Sequence, residues 1–251
     1  MSDMTWLFVS DIHFPNHDAR MLDLWFDVMK YLKPGAVDLL GDIDDADGTS
    51  RWAEGTSREG FSQNDPGVLG TKQLLEKINE KAPKADKHFF DGNHGWHRHV
   101  KWLDKNNPQS LEDGLYTPES IYGVEANGFV WHNYLERPTR RYGDIYAHHG
   151  VSISQYSAES VRNDVKKFEV SLIRGHSHRQ GYYAHTAPLE DRTVRGWEIG
   201  HMCVPTGQDY DLSPDWQAGF AYGVVSGDEV FIDLVPVINY RCNIGTKVFQ
   251  G

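Results

Sequence analysis

Cysteine is nearly absent: only Cys203 and Cys242 occur in 251 residues. Two thiols make no disulfide framework, so the chain reads as a protein of a reducing compartment. No run approaches the ~20 apolar residues that a membrane-spanning helix needs. The opening "MSDMTWLFVS" lacks the basic start and long apolar stretch of a secretory signal. The cytoplasm is the expected location. Positive charge is also scarce, with 25 Lys+Arg against 36 Asp+Glu and a net charge of −11. Such a surface repels an extended polyanion, so broad non-specific nucleic-acid binding is disfavoured, although a local positive site is compatible with it. The basic cluster "RPTRR" (Arg137–Arg141) reads as a solvated turn. Repeats and low-complexity segments are missing.

What is present is ordinary globular composition, 39% hydrophobic and 24% charged. It fits one large domain spanning residues 1–251 with a buried core, and a polar loop insertion around 46–66. "TWLFVS" (5–10), "AVDLLG" (36–41) and "KHFFDG" (87–92) are apolar, aromatic and β-branched, and read as buried strands. Between them, Leu22, Trp25, Met29 and Leu32 recur at helical spacing until "KPG" stops the helix, and "LLEKINEKA" ends another. The second half carries strands in "GDIYAHHG" and "VSLIRGHSH", separated by a charged helix over 157–169. From Gly181 onward short strands and turns dominate, with a hairpin at "SGDE". A βαβαβ-like first half and a strand-rich tail are both satisfied by two sheets packed face to face with helices outside.

The polar residues fall in a repeated place. Five apolar strands each end in metal-capable residues: Asp11 with His13, Asp42 with Asp45, Asn93 with His94, His148 or His149, and His176 with His178. In α/β sheets, ligands gather at the carboxyl ends of strands. One such ending is usually a helix cap or a packed histidine; five point to a shared metal site. Asp11, His13, Asp42, Asn93, His149, His176 and His178 are too many ligands for one tetrahedral zinc and suit two ions sharing a carboxylate. A mixed nitrogen and oxygen set without thiolate fits Mn, Fe or Zn, with manganese favoured. Two divalent ions bring four charges, of which Asp11, Asp42 and a hydroxide return three. The site then stays positive by roughly one unit and attracts an anionic phosphate.

"SDIH", "GDIDD", "GNH", "HHG" and "GHSH" resemble, in order and spread, the five motifs of the calcineurin-like metallophosphoesterase superfamily. The tail "SPDWQAGFAYGVV" further resembles a branch common in bacteriophage and prophage genomes, which would place the protein in a host cytoplasm. The resemblance implies a four-layer αββα sandwich with two mixed central sheets and a dinuclear site at the strand C-terminal ends. It assigns Asp11, His13, Asp42 and His178 to one ion and Asp42, Asn93, His149 and His176 to the other, with Asp42 bridging. It makes His94 a non-ligand that protonates the leaving oxygen after hydroxide attack, oriented by Asp45. The family usually carries Asp or Glu directly after that histidine. Gly95 stands here instead and is expected to open the floor of the site to a bulkier substrate.

The implied function is hydrolysis of a phosphodiester, nucleotide or nucleic-acid-related. Phosphomonoesterase, DNA exonuclease and non-catalytic metal- or phosphate-binding module are the alternatives. His97 and His99 read as helix residues, with His97 or Arg98 able to meet a substrate phosphate from the rim. Trp52, Phe61 and Trp96 either stack a nucleobase or pack the insertion against the body of the protein. Trp216 and the remaining histidines, His201 among them, read as packing residues. Oligomeric state is not legible.

Overall fold

The computed structural model describes residues 3–205 and 214–251. Strands β1 (Met4–Val9), β2 (Ala36–Leu40), β3 (Asp86–Phe90) and β4 (Phe129–His132) run parallel. The hairpin of β10 (Gly219–Ser226) and β11 (Glu229–Pro236) adds antiparallel to β1, giving the sheet order β11-β10-β1-β2-β3-β4. A second mixed sheet is built from β5 (Thr139–Arg140), β6 (Ile145–Ala147), β7 (Ser171–Arg174), β8 (Gln180–Ala187) and β9 (Arg192–Ile199), in the order β5-β6-β7-β9-β8. The last hairpin, β12 (Arg241–Ile244) with β13 (Lys247–Gln250), lies apart from both sheets.

The layering follows from side-chain alternation along the strands. On β1, Trp6 and Phe8 point between the sheets and meet Ile145, Ala147, Ile173, Trp197 and Ile199 of the second sheet. Leu7 and Val9 point the other way, against Leu24, Trp25 and Val28 of α1 (Ala19–Leu32) and Leu74, Leu75 and Ile78 of α2 (Pro66–Lys81). On the far side, Val161 and Val165 of α6 (Glu159–Phe168) cover Leu172 of β7. The result is the expected αββα sandwich. Each fully buried Leu, Val or Phe side chain contributes about 1.5–3 kcal/mol. α1 starts where Asp18 accepts from the amides of Arg20 and Met21, and ends with Lys33 in the left-handed conformation.

Residues 46–65 hold one 3-10 turn at Asp47–Thr49 and otherwise irregular chain. Between β3 and β4 lies a run of short helices, α3 (Lys101–Asn106), α4 (Pro108–Glu112) and α5 (Pro118–Tyr122), too brief to show periodicity in the sequence. Among the described residues, no helix is long and apolar enough to cross a membrane.

Within the basic cluster Arg137 and Arg140 are exposed as expected, and Arg141 departs from the reading. Arg141 is not solvated: its guanidinium makes two 2.9 Å bonds to the buried carboxylate of Asp38 on β2 and a third, also 2.9 Å, to Asp86. A second buried pair underlies the loops that follow β6 and β7. Asp164 accepts from Val151 N (3.0 Å) and Ser152 N (3.1 Å), and from Arg174 Nη1 at 2.8 Å. Arg174 in turn donates to the carbonyls of Ser152 and Gly175, each at 2.9 Å. Removing one member of such a pair strands a charge in the core. Asp164→Ala is therefore expected to lower unfolding stability by about 3–5 kcal/mol in urea titrations. A loss under about 1 kcal/mol would contradict the strut.

Candidate metal centre

The ends of β1 and β2 are zipped together past the last ladder bond. Asp11 N donates to Gly41 O and His13 N to Asp42 O, both at 3.0 Å. Asp11, His13, Asp42, His176 and His178 all have positive φ, between 49° and 72°. Non-glycine residues avoid this region, and such strain collects where side chains must be aimed at one point. Gly92 serves the same convergence, since a Cβ there would overlap the Asp42 carboxylate.

Three groups result. Asp11, His13 and His178 form the first, with one ligand atom from each lying within 4.8 Å of the others. Asp11 Oδ2 is saturated by Ser10 Oγ (2.6 Å) and His176 N (2.9 Å). Its Oδ1 is buried with no hydrogen-bond partner, 3.1 Å from His178 Nε2 and 3.7 Å from His13 Nε2. Those two nitrogens face each other at 3.0 Å. An unpartnered carboxylate oxygen and two facing imidazole nitrogens converge here, an arrangement that a cation satisfies.

Asp42, His149 and His176 form the second group. His149 Nδ1 donates to the Leu40 carbonyl at 2.6 Å, which turns Nε2 toward Asp42 Oδ2 (3.2 Å) and Asn93 Oδ1 (3.1 Å). Fixing the remote nitrogen in this way selects the tautomer a metal needs. Its neighbour His148 is turned away: Nε2 donates to Tyr134 O (3.0 Å) and Nδ1 accepts from Gly150 N (2.9 Å).

The third group centres on Asp45. Its Oδ1 lies 3.1 Å from both His13 Nδ1 and His94 Nδ1, and 3.2 Å from Arg98 Nη1. Asp45 therefore holds His13 and His94 by their inner nitrogens. His94 also keeps its backbone amide on Asp42 Oδ1 (3.0 Å), and its Nε2 lies 3.7 Å from Asp42 Oδ2. Asp11, His13, Asp42, Asp45, Asn93, His94, His149, His176 and His178 thus lie side by side at this one location.

The electrostatics follow from burying opposite charges together. Burial alone favours neutral Asp11, yet His178 and His13 hold it well below the usual carboxylate range. Asp42 behaves likewise beside His149 and His94. Burial works against a charged His13, yet Asp11 and Asp45 raise it to about 10. His94, His176 and His178 are lowered, chiefly by burial. The pocket thus holds fixed anions that draw positive charge inward.

The site opens into a cleft of about 810 Å³ lined by Asp42, Asn93, His94, His176 and His178 together with rim residues. His97 and Arg98 reach that rim, whereas His99 is buried, bonded to Tyr116 O at 2.7 Å. The three histidines of "DGNHGWHRH" therefore do three different things. Trp216, read as a packing residue, is instead a wall of the cleft, 4.1 Å from the His178 ring. Ser50, Arg51, Ile153, Gln155 and Arg179 also line it and carried no sequence signal, because loop residues at a rim share no spacing. Gly95 does not open the floor. It is buried outside the cleft lining, and a Cβ there would overlap the carboxylate of Asp91, whose Oδ2 has no hydrogen-bond partner. Asp91 fills the space from four residues upstream.

No family model matches the chain. The Gene 54 protein of Mycobacterium phage L5 is 25% identical over 248 residues, covering 96% of this chain and 97% of that protein. The Gene 54 protein of Mycobacterium phage D29 matches with the same identity and coverage. Among solved structures, Vacuolar Protein Sorting 29 from Cryptosporidium parvum aligns over 99% of both chains, with a TM-score of 0.52 and 13% identity. The chain has the calcineurin-like sandwich fold. Asp91 occupies the volume that a side chain at position 95 would need. Gly95→Asp is accordingly expected to destabilise by about 1–3 kcal/mol through overpacking against Asp91. Combining it with Asp91→Gly should cost less than the sum of the two single changes in thermal melts. Additive costs would contradict that overlap.

Proposed function

We propose that this protein is a metal-dependent phosphoesterase acting on phosphodiesters of nucleotide type. The observation that carries the reading is the meeting of two Asp/His groups, Asp11–His13–His178 and Asp42–His149–His176, at one cleft that also exposes His94. Asn93 Oδ1, beside His149, completes the second set. We assign Asp42 to both sets as their shared carboxylate. When bound, a pair of divalent ions supplies positive charge to the phosphate and lowers the pKa of water.

The chain's own residues do the rest. His13 presents Nε2 because Asp45 holds Nδ1, and His149 presents Nε2 because Leu40 O holds Nδ1. His94 is the proton donor to the leaving oxygen. Its Nδ1 lies against both the carbonyl oxygen (3.0 Å) and the carboxylate of Asp45, which orients the ring and leaves Nε2 for the substrate. Asp45 acts through His94 and is a positioning residue. The likeness to phage proteins supports a host cytoplasm as the site of action.

Manganese-loaded protein is expected to hydrolyse bis-p-nitrophenyl phosphate faster than p-nitrophenyl phosphate. The reverse order would mark a phosphomonoesterase, and no turnover of either would refute the enzyme reading. His94→Ala should lower kcat by roughly 10²–10⁴-fold on a diester with an alkoxide leaving group. The loss should be smaller with nitrophenolate, which leaves without a proton. Equal losses on both substrates would remove His94 as the acid.

A further inference from the structure

The cleft is larger than a phosphate requires. At about 810 Å³ it falls in the range that encloses a whole small ligand. Its inner end is the Asp/His cluster, and its outer walls have another chemistry. Trp52 stands at the rim 51% exposed, with the guanidinium of Arg51 4.5 Å from its ring centroid. Ile153, on the same lining, is 68% exposed. The other two aromatic candidates are used elsewhere: Phe61 packs on His99 and Tyr116, and Trp96 is absent from the lining. Trp216 provides a second indole on the cleft wall, against His178.

A second observation points the same way. Ser50 and Ser177 both line the cleft, are 3% and 4% exposed, and have hydroxyls with no hydrogen-bond partner in the protein. Buried hydroxyls are seldom left unpaired, and a rotation of either side chain toward the cleft would give its hydroxyl a water or ligand partner. Exposed indole, exposed isoleucine, a guanidinium and unspent hydroxyls together match a planar aromatic base on a polar sugar.

We propose that the rim around Trp52 is a nucleobase subsite, and that the substrate is a small nucleotide diester rather than a nucleic-acid strand. The inference rests on the phosphoesterase reading and adds what that reading leaves open. The preference for a small ligand comes from charge. A net −11 surface repels a polyanion over any length beyond the cleft, whereas a single nucleotide meets only the local Arg51, Arg98 and Arg179.

The test is equilibrium binding to the manganese-loaded chain by calorimetry, using AMP, ribose 5-phosphate, inorganic phosphate and a thymidine 12-mer as probes. AMP is expected to bind roughly ten-fold more tightly than ribose 5-phosphate, the scale of one base stacked on an aromatic ring. Trp52→Ala should bring that ratio to about one, and Trp52→Phe should keep most of it. A wild-type ratio near one, or a ratio that survives Trp52→Ala in a protein with unchanged circular dichroism, would overturn the subsite. Tighter binding of the 12-mer than of AMP would overturn the small-nucleotide assignment. If inorganic phosphate itself fails to bind, the phosphoesterase reading falls and takes the subsite with it. Normal phosphate binding without AMP preference removes the subsite alone.

Discussion

The structure depends on keeping two buried carboxylates, Asp11 and Asp42, ionised at the inner end of the cleft. Burying a carboxylate costs several kcal/mol unless opposite charge surrounds it. Here imidazoles delivered at the ends of β1, β3, β6 and β7 ring the two carboxylates, and His13 and His149 among them are raised toward the charged form. That demand explains features that otherwise look unrelated: positive φ at five non-glycine residues, the overlap forbidden at Gly92, and the Arg174–Asp164 strut under the loops of His149 and His176. The sandwich supplies the rigid frame. The price is stored in the turns beyond the strand ends.

Much of this was legible in the sequence because strand ends are local signals. A short apolar run that stops at Asp, Asn or His shows both the strand and its last residue, as "TWLFVS" before Asp11 does. The order of the layers followed from the helix-then-strand pattern of the first half. Pairing of β10 with β1, by contrast, joins residues more than two hundred positions apart and leaves no local trace.

What was illegible lies in side chains that act through tertiary contact. Arg141 looked like one of several turn arginines, yet it reaches back to Asp38 across 103 positions. Trp216 sits in an apolar stretch and reads as core, while its ring closes the cleft beside His178. Gly95 suggested an enlarged floor because composition shows a missing side chain and not what replaces it; Asp91 takes the volume. Trp52, Phe61 and Trp96 were equivalent in sequence, and only packing separates the exposed one from the others.

The central claim is that the two Asp/His groups form one dinuclear centre joined by Asp42. Anomalous diffraction at the manganese edge from crystals grown with the metal tests it most directly. The account predicts two peaks per chain, one contacting Asp11, His13 and His178, the other Asn93, His149 and His176, and both contacting Asp42. One peak, or two with Asp42 bound to neither or to only one, would contradict it.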